Sequence, residues 1–355
     1  MPAKLIDGAE VAAGIKTRLA KEIEELKGSG VTPRLAAVQA NDNPGSRIYV
    51  KNQRKSCEEV GLAYDLIELP PVASQADMEA KIDELGADPA VTGIILQMPV
   101  PKGVDQRALQ RRIPFEKDIE GLHPHNLGTV VYGDMTMSPC TAKGAFLLAK
   151  GLDLAPSWEP LPSFAKKMVE EGKTTPSLYG KNVTIVGHSE IVGKPLALLF
   201  LDAFCTVTVC HIGTPPDRLR EACLGADILC TATGVPQVRW NSYKKALKAH
   251  EKNPGESTKP IVPDFFLVHG DMIREGSAVI DIAINRIPKE FDAGGNPVLN
   301  DKGKPAMKMV GDVAYDDALE VAGHLTKLPG GVGPMTVAML LENTVAAAKK
   351  QAGKG

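Results

Sequence analysis

Residues 329–336 read Pro329-Gly330-Gly331-Val332-Gly333-Pro334-Met335-Thr336 and open an apolar helical run through 337–341. The glycines bare backbone N–H groups, and the following helix adds unpaired N-terminal donors and the positive end of its dipole. Such a corner suits a flat polar or anionic ligand. A Gly/Pro turn capping a core helix uses the same residues. Elsewhere Tyr49 and Gln53 stand four apart and share one helical face. Gln97 ends the apolar run Gly93-Ile94-Ile95-Leu96, at the carboxyl end of a strand, where α/β proteins bind ligands. Residues 114–122 set Asp118 and Glu120 in a turn, followed by Pro139-Cys140-Thr141. Taken singly, these are also a helix face, a strand cap and a solvated turn in which Glu120 pairs with Lys117.

A second cluster follows an apolar strand at 182–186: Gly187-His188-Ser189-Glu190-Ile191-Val192-Gly193-Lys194-Pro195. A glycine at the tight turn and another in the first helical turn is the layout of a dinucleotide phosphate site. Gly187 lets the backbone approach a pyrophosphate, and Ser189 offers a cap and a phosphate donor. The spacing is not G-x-G-x-x-G, and a ligand-free βα turn has the same outline. The residue after the next strand reads the ribose: an acid takes a 2′-hydroxyl, a base a 2′-phosphate. Here 206–210 is followed by His211-Ile212-Gly213-Thr214, neither acid nor strong base. NAD versus NADP stays open.

Positioning these residues requires alternating strands and helices. Periodicity predicts helices at 8–27, 46–60 and 75–85 and strands at 34–40, 63–69 and 91–97. The rhythm restarts with strands at 182–186, 206–210, 227–231 and 278–282 and helices at 190–201 and 216–224. A last helix at about 334–349 returns to the first domain. This is an α/β chain with largely parallel sheets. Two intervals, 154–179 (with Trp158) and the lysine-rich 239–263, look like surface insertions. At 355 residues the chain is long enough for two domains. Lys and Arg total 41 against 43 Asp and Glu, a net charge of −2 that points to neither nucleic acid nor an anionic membrane. No apolar run approaches the roughly 20 residues of a membrane helix, and the N-terminus lacks a signal-peptide core. Six scattered cysteines without a C-x-x-C pair fit reduced core thiols in the cytoplasm, with no metal site.

Together the stretches 44–61, 93–99, 114–128, 139–144, 181–196, 207–214, 278–286 and 311–346 resemble the methylenetetrahydrofolate dehydrogenase/cyclohydrolase family. The phrases GHSEIVGKPLA, PFEKDIEGLHPHNLG and PGGVGPMTVAMLLENT carry the resemblance. It implies two α/β domains with a cleft between them: a folate domain at 1–145 plus the helix 330–352, and a Rossmann domain at 146–329. It implies a cytoplasmic homodimer pairing through the Rossmann domains. NADP or NAD is the implied cofactor and tetrahydrofolate the co-substrate. The implied catalytic residues are Tyr49, Gln53, Gln97 and Glu120. Substrate contacts would add Val50, Lys51, Asn52, Leu96, Met98, Asp118, Pro329, Gly330, Gly331, Val332 and Gly333. Cofactor contacts would be Gly187, His188, Ser189, Ile191, Val192, Gly193, Pro195, His211, Ile212, Thr214 and Ile284. The implied reaction moves a hydride from 5,10-methylenetetrahydrofolate to nicotinamide, giving 5,10-methenyltetrahydrofolate, which bifunctional members hydrolyse to 10-formyltetrahydrofolate.

The departures matter as much. Gln53 occupies the lysine position of the family's Tyr-x-x-x-Lys helix. At about 100° per residue, Lys51 and Lys55 each point roughly 160° away from it. Glu120 replaces an aspartate, His188 an arginine and Ile212 a serine; Thr326-Lys327-Leu328 replaces Thr-Pro-Val. Losing the arginine and serine donors favours NAD or relaxed selectivity. Hydride transfer needs a near-attack geometry and no protein base. Hydrolysis needs a group that exchanges protons. A lysine in a partly dry cleft has its pKa lowered into range, whereas glutamine does not titrate. The expectation is a dehydrogenase with weak or absent cyclohydrolase activity. A fully bifunctional enzyme using Tyr49 or Glu120, and a non-catalytic folate- or dinucleotide-binding protein, are the alternatives.

Overall fold

A computed structural model describes residues 2–157, 160–253 and 258–353; Trp158 lies outside them. The chain forms two α/β units. One comprises Met1–Asp7, Ala149–Ser189 and Ala203–Val332, the other Gly8–Leu148, Glu190–Asp202 and Gly333–Gly355. The predicted helix at 190–201 is observed as Gly193–Asp202, after a turn at 190–192. It belongs with the second of these units, where Phe200 meets Phe146 edge-on at 5.3 Å.

The unit containing Gly8–Leu148 is built on three parallel strands, ordered Ala63–Glu68, Arg34–Gln39, Gly93–Gln97. The helix Gln75–Ala87 covers one face through Met78, Ile82 and Leu85, packed with Ala36, Val38, Ile94, Leu109 and Ile113. The helix Pro44–Val60 starts because Asn43 accepts the Gly45 N–H and stops at Gly61, which adopts a left-handed conformation. Tyr49 and Gln53 sit one turn apart on it. The last helix, Val332–Gln351, packs Met335 against Gly144 of the helix Cys140–Lys150.

In the other unit six parallel strands run in the order Lys4–Ile6, His324–Thr326, Ala278–Asp281, Ile228–Thr231, Asn182–Val186, Thr206–Cys210. The N-terminal strand and 324–326 escaped the sequence reading because each is three residues long. The stretch 239–263 is not a plain surface excursion. Residues through 252 continue the helix Val235–Lys252, which buries Trp240, Tyr243 and Leu247 against Phe265, Ile287 and Val310. Likewise 154–179 contains the helix Ser163–Glu170, with Ala165 and Met168 buried. An antiparallel pair, Asn285–Pro288 with Met307–Val310, adds a ribbon to this unit. No described helix is long and apolar enough to cross a membrane.

Candidate active site

The carboxyl end of Gly93–Gln97 receives the acidic turn. Ile94 pairs with Asp118 in parallel register, and the Ile94 N–H donates to the Lys117 carbonyl at 2.8 Å. A Cβ on Gly93 would come within 2.5 Å of Ile119, so only glycine lets the turn lie this close. Further along, the Glu120 carboxylate accepts the backbone N–H of Leu96. The bridge makes residues 117–119 a pseudo-strand beside Gly93–Gln97. Lys117 is turned elsewhere: its Nζ caps carbonyls of Leu85 at 3.2 Å and Asp88 at 2.6 Å. Asp118 faces its own loop, accepting from His123 N–H at 2.7 Å and Asn126 Nδ2 at 2.9 Å.

Around Glu120 the helix and strand side chains converge. Gln97 Nε2 donates to Gln53 Oε1 at 2.6 Å, and the Tyr64 hydroxyl donates to the same oxygen at 3.3 Å. Gln53 has no exposed surface, and its Nε2 has no hydrogen-bond partner. Tyr49 is 39% exposed. Burial of its hydroxyl end, the Glu120 charge and the Cys140 thiol raise its ionisation well above the usual phenol range; the Gln53 side chain, outside hydrogen-bond geometry, slightly opposes them. Glu120 itself is pushed up to about 8, first by burial and then by the Asp118 carboxylate, with the Leu96 backbone bond opposing. The cluster thus holds two amides, a phenol and a carboxyl group that titrates near neutrality.

Tyr49, Gln53, Gln97 and Glu120 are therefore neighbours. Leu96 and Val50 are buried in the same unit, whereas Lys51 and Asn52 face solvent on the far side of the helix. Met98 is exposed at the strand end. Pro329 and Gly330 are accessible; Gly331 and Val332 are buried. A Cβ on Gly331 would lie 2.7 Å from the Lys327 carbonyl oxygen, so local packing alone requires that glycine. The chain passes from one unit to the other between Val332 and Gly333. Sequence reasoning singled out neither Tyr64 nor Asn343. Asn343 Nδ2 donates to the carbonyls of Ile119 at 3.0 Å and Ser138 at 3.2 Å, clasping the Glu120 turn. Its signal was a polar pair, Glu342-Asn343, inside an apolar helix.

In the six-stranded sheet the strand order reverses about Asn182–Val186: the next strand lies on one side of it and Ile228–Thr231 on the other. Ligands of open α/β sheets bind outside the carboxyl ends at such a switch point. Gly187 stands there with φ +122°, and a Cβ would lie 2.5 Å from the carbonyl oxygen of Ala232, which follows Ile228–Thr231. His188 and His211 meet at 4.9 Å beside it. Ile212, just after Thr206–Cys210, is fully exposed, and Ile284, between Ala278–Asp281 and Asn285–Pro288, largely so. Ser189 and Thr214 belong to the same unit; Ile191, Val192, Gly193 and Pro195 fall on the segment Glu190–Asp202 of the other. Behind the strand ends, Asp281 and Asp312 are both buried. Asp312 accepts the N–H groups of Thr233 at 2.6 Å and Gly234 at 3.0 Å. Asp281 accepts from Val313 and Asp312 N–H and the Thr231 hydroxyl. Bare backbone at a switch point, flanked by exposed apolar side chains, fits a dinucleotide.

Residues 6–120 match the tetrahydrofolate dehydrogenase/cyclohydrolase catalytic domain, and residues 162–245 and 263–352 its NAD(P)-binding domain. The chain belongs to the tetrahydrofolate dehydrogenase/cyclohydrolase family. It is 35% identical over 350 residues to the bifunctional protein FolD of Moorella thermoacetica, covering 99% of this chain and 100% of that one. The solved FolD methylenetetrahydrofolate dehydrogenase/cyclohydrolase of Campylobacter jejuni is similar with TM-score 0.74 and 32% identity, over 98% of this chain and 99% of that one. The Trypanosoma brucei enzyme, complexed with NADP cofactor and inhibitor, gives TM-score 0.74 at 27% identity over 99% of each chain. The family match to the NAD(P)-binding domain is interrupted only at 246–262, so residues 162–179, expected to be inserted, lie within it.

Proposed function

We propose that this protein is an NAD(P)-dependent methylenetetrahydrofolate dehydrogenase with weak or absent cyclohydrolase activity. When bound, the nicotinamide accepts the hydride from the methylene carbon. Tyr49 offers a ring face and a hydroxyl to the folate, and Gln97 and Glu120 offer donors and acceptors to the pterin edge. Turnover at this step needs no proton exchange with the protein. The observation that carries the reading is Gln53: its amide oxygen is taken by Gln97 and Tyr64, and its nitrogen cannot titrate. Nothing at position 53 moves a proton for the attacking water.

A second reading, full bifunctionality, is favoured by the names of the relatives and by Glu120. A carboxyl group that gains and loses its proton near pH 8 in the same cluster is suited to general acid–base work. One assay separates the readings. The protein is mixed with methylenetetrahydrofolate and NAD or NADP, and methenyl absorbance is followed as it forms and decays. Accumulation with decay at the uncatalysed rate supports the first reading; rapid consumption of added methenyltetrahydrofolate overturns it in favour of the second. No formation with either dinucleotide overturns both.

The cofactor is NAD or NADP. A homodimer through the outer strand Thr206–Cys210 is supported by its position at the sheet edge, with Thr206, Thr208 and Val209 exposed. Cytoplasmic residence is supported by six free, buried cysteines.

A further inference from the structure

The turn after Ile228–Thr231 is built on a buried anion. Asp312 takes the Thr233 N–H on one oxygen at 2.6 Å and the Gly234 N–H on the other at 3.0 Å, the acceptor pattern of a carboxylate. Both peptide bonds are trans, so the Ala232 and Thr233 carbonyls point away from Asp312. The Ala232 oxygen meets the backbone at Gly187, where a Cβ would lie 2.5 Å from it. The helix Val235–Lys252 opens with its next donors also taken. The Thr233 hydroxyl accepts the Val235 N–H at 3.2 Å, and Asn285 Oδ1 accepts the Gln237 N–H at 3.3 Å; Pro236 has none. The turn is the reverse of a phosphate turn: carbonyl oxygens outward, N–H groups inward on a carboxylate.

Behind Asp312, Asp281 accepts the N–H groups of Asp312, Val313 and Ala283 and the Thr231 hydroxyl. Asp312 also receives Asn285 Nδ2 at 3.5 Å. Every one of these donors is neutral, so none cancels the negative charge. A dinucleotide spans the point where the strand order reverses. With its pyrophosphate at the Gly187 turn and its adenosine towards Thr206–Cys210, the nicotinamide half belongs on the other side of Asn182–Val186, towards Ile228–Thr231 and Ala278–Asp281. Those strands lead into Ala232 and end in Asp281. A nicotinamide ring is a cation when oxidised and neutral when reduced, and a fixed negative wall distinguishes the two.

We propose that Asp312, backed by Asp281, is a specificity-determining residue that tilts binding towards the oxidised, positively charged nicotinamide ring and against the reduced, neutral one. The carboxylates act through charge and through the outward carbonyls that Asp312 holds in place. This inference rests on the dinucleotide reading of the site.

The test is equilibrium binding to the full-length protein at pH 8, where Asp281, pushed up to about 7, is largely ionised. NADH is followed by its fluorescence and NAD+ by displacing it, and NADPH and NADP+ are treated in the same way. The quantity read is the ratio of oxidised to reduced affinity. It should fall roughly 10-fold in Asp312→Asn, the scale of one unit charge several ångströms away at a protein-like dielectric, and by less in Asp281→Asn. ADP-ribose, which lacks the ring, should still bind both variants, which reports that they fold. If Asp312→Asn does not fold, Asp281→Asn carries the test, because its side chain does not hold the turn. A purely structural role would weaken both redox forms equally. An unchanged or increased ratio in the folded variants overturns the inference alone. Failure of the wild type to bind ADP-ribose or any of the dinucleotides overturns the dinucleotide reading with it.

Discussion

At residue 53 a neutral amide is locked into a buried network, and the consequences of unlocking it are calculable. In Gln53→Lys the ammonium would enter a buried site beside Tyr49, which feels the Glu120 charge. Gln97 and Tyr64 would lose their shared acceptor, at about 1–3 kcal/mol of stability. The new charge should pull the Glu120 titration down from about 8 and supply a proton-exchanging group. We expect methenyl hydrolysis to rise by roughly 10²-fold or more, the lower range for general acid–base catalysis, with a smaller change in hydride transfer. An unchanged decay rate in a folded variant would refute this. Glu120 gives a second test. Its folded titration point lies above its unfolded one, so its contribution to stability is present below about pH 4.5 and lost as pH rises through about 8. Thermal unfolding should show wild type losing ground to Glu120→Gln between pH 6 and 9; parallel curves would mean the carboxyl group is already ionised at pH 6. Gln53, Gln97 and Glu120 were legible in sequence because polar residues at apolar positions stand out. Tyr64 was not, because a tyrosine in a strand looks like ordinary packing.

Among elements, the turn at 114–121 depends on a helix more than 200 residues away. Asn343 donates to two carbonyls of that turn's surroundings and accepts from Lys143 Nζ at 3.2 Å. Asn343→Leu would strip the donor from the buried Ser138 and Ile119 carbonyls, while Lys143 keeps its ion pair with Glu342 at 3.0 Å. We expect a loss of about 2–4 kcal/mol in urea unfolding and a raised KM for folate with dinucleotide affinity unchanged. A stable variant with unaltered folate use would show that the pseudo-strand pairing at Ile94 suffices. The boundaries 182–186, 206–210 and 216–224 are those read from sequence, since each sits between glycine, proline or charged breaks. Trp240, Tyr243 and Leu247 recur at helical spacing, yet the lysines between them masked the buried stripe.

Over the whole molecule, the chain crosses between its two units several times, and the buried carboxylates of the six-stranded unit tie strands to crossing loops. Asp281 is pushed up to about 7 by burial and by the neighbouring Asp312 charge. Raised above its unfolded value, its contribution to stability is complete below about pH 4 and lost as pH rises through 7. The melting temperature of the wild type should therefore fall between about pH 5.5 and 8.5 more steeply than that of Asp281→Asn, whatever the offset between them. Equal slopes would place the titration outside this range. Asp312 holds the Thr233–Gly234 turn at the switch point, so the same window should weaken dinucleotide binding.

Sequence alone determined the α/β class, the phosphate-type turn at Gly187, the family and the absence of a lysine at position 53. These are local facts: periodicity, glycine placement and contiguous phrases act within a few turns of chain. Tertiary structure decided that Gln53 meets Gln97 across 44 residues, that Glu120 docks beside Leu96, that His188 touches His211, and that Asp281 and Asp312 share a buried site. Each depends on strand register and on what burial does to charge, and both are set only when distant segments are packed together.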